Sequence, residues 1–177
     1  MHAVDFLSQT QVLSAANDGT LKVWDVHAET AANTFEHADH VRSLAVSPDS
    51  PFIVYTGCYD HCIRTWDTRL GECVQTYNHE APVESILVFP GSRQLASSGS
   101  NTVRIWDTLM CAAPTFTVSP HAKTITHISL ANSNKNMVTA SLDRQVKVCN
   151  IATGYEVEHT FKYPHSILSF AISVLFV

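Results

Sequence analysis

The chain has 177 residues, 45% of them hydrophobic and 15% charged, which is enough apolar material for the core of one ordinary domain. Eleven basic against sixteen acidic side chains leave a formal charge of −5, and the scattered Lys and Arg give neither the basic face expected of a nucleic-acid binder nor a polybasic membrane patch. Five scattered cysteines (58, 62, 73, 111 and 149) and an opening, MHAVDF, without signal-peptide character predict free thiols in a reducing compartment.

In chain order, four short apolar runs recur as a set. The first set reads VDFLS, VLSAAND, TLKVWDV and ANTFEH; the second reads VRSLAVSP, FIVYTGCYD, CIRTWDTR and CVQTYNH. The third reads VESILVFP, QLASSGS, TVRIWDT and PTFTVSPH; the fourth reads ITHISLAN, NMVTASLD, QVKVCNI and EVEHTFKY. Trp-Asp pairs fall at 24–25, 66–67 and 106–107, and Cys149-Asn150 takes the fourth place, so the period is 42, 40 and 43 residues. Alternating apolar residues bounded by Gly, Pro, Asn and Asp are strand and hairpin signals, and no window carries a helical period. Four strands in each unit of ~40 residues is the pattern of a β-propeller blade.

The predicted fold is therefore all-β: residues 1–177 form one propeller segment of four blades plus the first strand of a fifth. The blades run over about 1–36, 37–78, 79–120 and 121–163, with the next blade starting at 164–177. The apolar ending SILSFAISVLFV is roughly half the ~20 residues a membrane-spanning helix requires and reads as strand material.

The stretch GCYDHCIRTWDTR (57–69) concentrates metal-binding side chains. Cys58, His61 and Cys62 have a zinc-like local spacing, but zinc takes four ligands and the second close pair is missing. A lone strand Cys behaves as a small hydrophobe. No G-x-S-x-G elbow, phosphate-cradling glycine loop or H-E-x-x-H occurs, so no catalytic, cofactor-binding or metal site is predicted.

The repeats resemble the WD-repeat family. That resemblance implies a hydrogen-bonded tetrad in each blade: an interblade His, a Ser or Thr, an Asp in a tight turn, and the Trp. His37, Thr56, Asp60 and Trp66 match all four positions in the second blade. The first blade keeps Ser14, Asp18 and Trp24. The third keeps His79 and Trp106 but aligns Ala96 and Ser100 with the other two places, so its tetrad is expected to be broken. The fourth keeps His121, Thr139 and Asp143 and replaces the Trp with Cys149. A closed network suits these members, because a buried Asp or indole N–H without a partner is costly.

Within the family the chain is similar to WD-repeat subunits of the small-subunit processome. The likeness rests on GCYDHCIRTWDTR, APVESILVFPGSRQLASSGSNTVRIWD, HAKTITHISL, SLDRQVKV and HTFKYPHSILSFAIS. It implies a non-catalytic nucleolar scaffold for pre-rRNA processing and ribosome biogenesis. Its partners would be other processome subunits, with pre-ribosomal RNA reached indirectly through the ribonucleoprotein. It also implies a ring of seven blades, in which four blades form an arc with two unpaired edges of low solubility.

Propellers gather partners at their loop faces and channel mouth. Arg42, Tyr59, Glu84 and Arg144 flank the inner strands and tight turns and are the candidate partner contacts. Arg69, in Trp66-Asp67-Thr68-Arg69, also resembles the W-D-x-R motif of cullin-RING substrate receptors, and it supplies the alternative reading alongside that of another WD-repeat scaffold.

Overall fold

The computed structural model describes residues 1–110 and 113–172. Its strands pair only with their neighbours in sequence, always antiparallel, in four sheets of four. The first sheet is β1 (Ala3–Phe6), β2 (Gln11–Ala15), β3 (Thr20–Asp25) and β4 (Thr30–Glu36). The second is β5 (Val41–Val46), β6 (Ile53–Cys58), β7 (Cys62–Asp67) and β8 (Glu72–Asn78). The third is β9 (Val83–Val88), β10 (Gln94–Gly99), β11 (Thr102–Asp107) and β12 (Phe116–Val118). The fourth is β13 (Ile125–Ala131), β14 (Asn136–Ser141), β15 (Gln145–Asn150) and β16 (Glu156–Lys162). This is the all-β arrangement of propeller blades, and no described residue is helical.

The core lies between blades rather than within them. Leu13, Leu21, Val23 and Phe35 of the first blade close on Val54 and Trp66 of the second. Tyr55, Ile63 and Tyr77 then face Val83, Leu95 and Trp106, and Val103 and Ile105 face Ile125, Met137 and Cys149. A strand covered on both faces cannot alternate polar and apolar residues. Accordingly every residue of β14 is buried, whereas β16, the outer strand, is exposed throughout.

The Asp of each Trp-Asp pair is a turn cap. Asp25 Oδ1 accepts from the backbone N–H of His27 and Ala28, Asp67 Oδ1 from Arg69, and Asp107 Oδ1 from Leu109. Asn150 Oδ1 does the same for Ala152, so the fourth blade keeps the cap without its charge.

Residues 164–172 form no strand, although the sequence predicts the first strand of a fifth blade there. Ile167 N–H does reach Ser141 O (3.4 Å), as Val41 reaches Ala16 (3.1 Å) and Ile125 reaches Ser100 (2.7 Å). The segment thus begins in the inner-strand position, but among the described residues no second strand lies beside it to complete a ladder. Residues 173–177 of that expected strand, and Cys111, lie outside the described residues.

Candidate protein-interaction site

The repeated His, Ser/Thr and Trp positions form bonded networks across each blade interface. In the second blade His37 Nε2 and Thr56 Oγ1 are 2.8 Å apart, and Trp66 Nε1 donates to the same oxygen at 2.9 Å. Asp60 does not close this set. Its Oδ2 pairs with Arg64 at 2.7 Å and its Oδ1 accepts from Cys62 N–H, leaving His37 Nδ1 buried without a hydrogen bond. Burial and then the nearby Arg64 cation depress the His37 pKa to about 4, so the ring is neutral.

The third blade departs from expectation. Its hydroxyl is Ser97, not the aligned Ala96: Ser97 Oγ lies 2.8 Å from His79 Nδ1 and accepts from Trp106 Nε1 at 2.8 Å. The reason is a shorter turn at Ser100-Asn101. Gly99 pairs directly with Thr102 across β10 and β11, which shifts the register by one residue. With no Asp present, His79 Nε2 faces the Gly99 carbonyl at 3.5 Å, and burial lowers the His79 pKa to about 4.

In the fourth blade His121 Nδ1 lies 2.9 Å from Asp143 Oδ2, and His121 Nε2 lies 2.9 Å from Thr139 Oγ1. This is the order of a hydroxyl–imidazole–carboxylate relay. Thr139 is completely buried, so no electrophile reaches it and the array links blades instead. Burial lowers the His121 pKa against the pull of Asp143. Cys149, in the Trp position, is fully buried beside Met137 and Tyr155, and burial raises its thiol pKa to about 11. In the first blade Trp24 Nε1 donates to Ser14 Oγ at 2.8 Å, and Asp18 Oδ1 caps its turn through Thr20. Trp24 remains 36% exposed, since no described blade covers that face.

Cys58 is buried with its thiol directed at the Asp39 carbonyl, and no group of three or more His, Cys, Asp or Glu among the described residues is placed to hold a metal ion.

Three of the four candidate contacts meet at one place. Arg42 is the unpaired residue of a bulge between Val41 and Ser43, and Glu84 and Thr126 hold the same station in β9 and β13. A bulge re-aims its extra side chain. Here each is turned toward a cavity of about 280 Å³ lined by His2, Arg42, Glu84, Thr126, His127, Leu168 and Ser169. Tyr59 Oη donates to Glu84 Oε1 at 2.7 Å, while Arg42 Nη2 is 3.4 Å from Glu84 Oε2. The guanidinium lies 5.4 Å from the centre of the Tyr59 ring and donates from Nη1 to His2 Nδ1 at 2.8 Å. Arg144 is not part of this cluster. It sits at φ +69° in its turn and lines a separate cavity with Asp143, Gln145, Lys162 and Tyr163.

Arg69 is turned back on its own motif. Its Nε and Nη2 donate to Asp67 at 3.1 and 2.8 Å, and its guanidinium lies over Phe52 at 4.6 Å. The Arg69 hydrogen bonds hold the Asp67 pKa at about 2.

Compared with known proteins, the WD domain, G-beta repeat profile matches residues 2–25, 30–67, 71–107 and 112–150. The chain belongs to the WD-repeat family. Over 98% of its length it is 37% identical to the U3 small nucleolar RNA-associated protein 15 homologs of Xenopus laevis and Gallus gallus, covering 34% of each. It is 31% identical, again over 98% of its length, to the U3 small nucleolar RNA-associated protein 15 of Schizosaccharomyces pombe, covering 35% of that protein. The chain thus spans about a third of the curated relatives it matches.

Two sets of residues escape a reading built on the WD-repeat motif alone. His2, Thr126 and His127 line this cavity but lie outside the tetrad. The recurrence of His2, Arg42, Glu84 and Thr126 at the start of each inner-strand repeat was the available signal. The second set is Lys22, Arg64, Arg104 and Lys147, one cation per blade two residues before the Trp position. Arg104 pairs with Glu80 at 2.5 Å and Lys147 donates to the Pro120 carbonyl, each bridging to the connection from the preceding blade. Arg64 turns to Asp60 instead, which is why the second tetrad lacks its His–Asp bond.

Proposed function

We propose that this chain is the propeller segment of a non-catalytic scaffold of the small-subunit processome, acting in the nucleolus in pre-rRNA processing and ribosome biogenesis. The observation that carries this is the likeness, over 98% of the chain, to proteins named U3 small nucleolar RNA-associated protein 15 in frog, bird and yeast. The physical features agree with a presenting surface. His79 and His121 are buried, His37 is partly buried, and each is engaged with neighbouring groups, whereas Arg42 and Glu84 line a cavity beside Tyr59. A net charge of −5 favours protein contacts over direct contact with RNA. Pre-ribosomal RNA is then reached through the assembled particle.

The competing ligase-receptor reading depends on Arg69 offering a free guanidinium fork. Two of its nitrogens are already engaged by Asp67, which favours a turn-closing role. Affinity purification of the tagged protein from growing cells, beside an Arg69→Ala version, separates the two readings. Processome subunits and pre-ribosomal RNA recovered equally with both versions support the scaffold. A cullin adaptor that vanishes with Arg69→Ala, without ribosomal precursors, overturns it.

A further inference from the structure

The cavity beside the inner-strand bulges holds one guanidinium and one carboxylate, Arg42 and Glu84. Glu84 is held firmly by Tyr59 Oη at 2.7 Å, but its contact with Arg42 is 3.4 Å, beyond the 2.7–2.9 Å range of a strong charge-assisted bond. Arg42 is nevertheless fixed in direction, with its guanidinium lying over Tyr59 and its Nη1 donating to His2. It is a pre-oriented guanidinium with donors unused, 32% exposed on a cavity of about 280 Å³. Besides Glu84, the lining is two histidines, two hydroxyl residues and Leu168, and no second carboxylate. The Thr126 hydroxyl donates to Ile167 O at 2.8 Å, and the His127 ring meets Phe170 edge-on at 4.9 Å, so these two walls are already set.

A guanidinium held this way presents parallel N–H bonds that match a carboxylate. The cavity admits one side chain and a stretch of backbone, and is too small for a stacked run of nucleotides. We propose that this cavity is an acceptor site for an acidic side chain, Asp or Glu, presented by an extended segment of a partner protein, with Arg42 as its anchor. The incoming carboxylate takes the guanidinium from its long contact with Glu84. Glu84 stays on Tyr59 and acts as the gate that weakens binding. This rests on the scaffold reading and supplies the chemistry of one partner contact.

The test is fluorescence anisotropy of the purified chain with a fluorescein-labelled hexaglutamate peptide. A hexalysine peptide and an oligouridylate of matched length are run beside it. Loss of one charged hydrogen-bonded contact predicts roughly tenfold weaker peptide binding in Arg42→Gln. Glu84→Gln removes the competing charge and strengthens binding, which keeps the outcome readable if Arg42→Gln folds poorly. Arg93→Gln, outside the cavity lining, leaves it unchanged. Binding equal in wild type and Arg42→Gln, an equal loss in Arg93→Gln, or preference for hexalysine or the oligouridylate overturns the proposal. If the tagged protein recovers processome subunits from cells while the purified protein ignores hexaglutamate, the acceptor site fails and the scaffold reading stands.

Discussion

Acid should loosen the blade interfaces well before the carboxylates titrate. His37 and His79 sit between blades with pKa values held near 4 by burial, whereas an imidazole in an unfolded chain takes its proton near pH ~6.5. Between those values the unfolded state binds more protons than the folded one, so stability is complete above pH ~6.5 and is lost as pH falls toward 4. Each histidine contributes roughly 2 kcal/mol of that loss by pH 5 and about 3 kcal/mol once both states are protonated. His121 is shifted in the same direction and adds to the slope. The assay is urea unfolding followed by tryptophan fluorescence at pH 7, 6 and 5. His79→Gln keeps hydrogen-bonding groups at the position but cannot titrate. It should lower stability at pH 7 and flatten the decline between pH 7 and 5 by about 2 kcal/mol. An unchanged pH slope in His79→Gln, or stability that rises on acidification, would refute a neutral buried imidazole at this interface.

Further outcomes follow from single contacts. Thr56→Val strands both the Trp66 N–H and His37 in a buried layer and should destabilise by about 2–4 kcal/mol in urea unfolding, whereas Ser14→Ala, beside the half-exposed Trp24, should have a smaller effect. Restoring the family residue with Cys149→Trp should lower the melting temperature, because Met137 and Tyr155 already fill that space; a rise would show a void there. Gly99→Ala drives a methyl into the His79 ring and the Pro82 carbonyl, and should destabilise more than Ala96→Gly. Alkylation with iodoacetamide at pH 8, read by mass spectrometry, should modify exposed Cys73 first and buried Cys149 only on unfolding.

The blade architecture was legible in the sequence because each blade writes the same physical requirements locally. Strand alternation, the Asp caps at 25, 67 and 107, and a Trp repeated at one station are features of a single hairpin or turn. They can be read without knowing what lies opposite. That Arg42, Tyr59 and Glu84 lie near one another was also legible, since their place in the repeat put them beside the inner strands. What the sequence left undetermined depends on distances between residues far apart in the chain. Ser97 replaces Ala96 only because a shortened turn moves β10 against β11 by one residue. Asp60 pairs with Arg64 rather than with His37, and Arg144, in the turn after Asp143, lines a different cavity from the inner-strand residue Arg42. Which of several compatible partners a polar side chain takes is decided by tertiary geometry. A hydrogen bond tolerates a few tenths of an ångström, and sequence spacing does not resolve that.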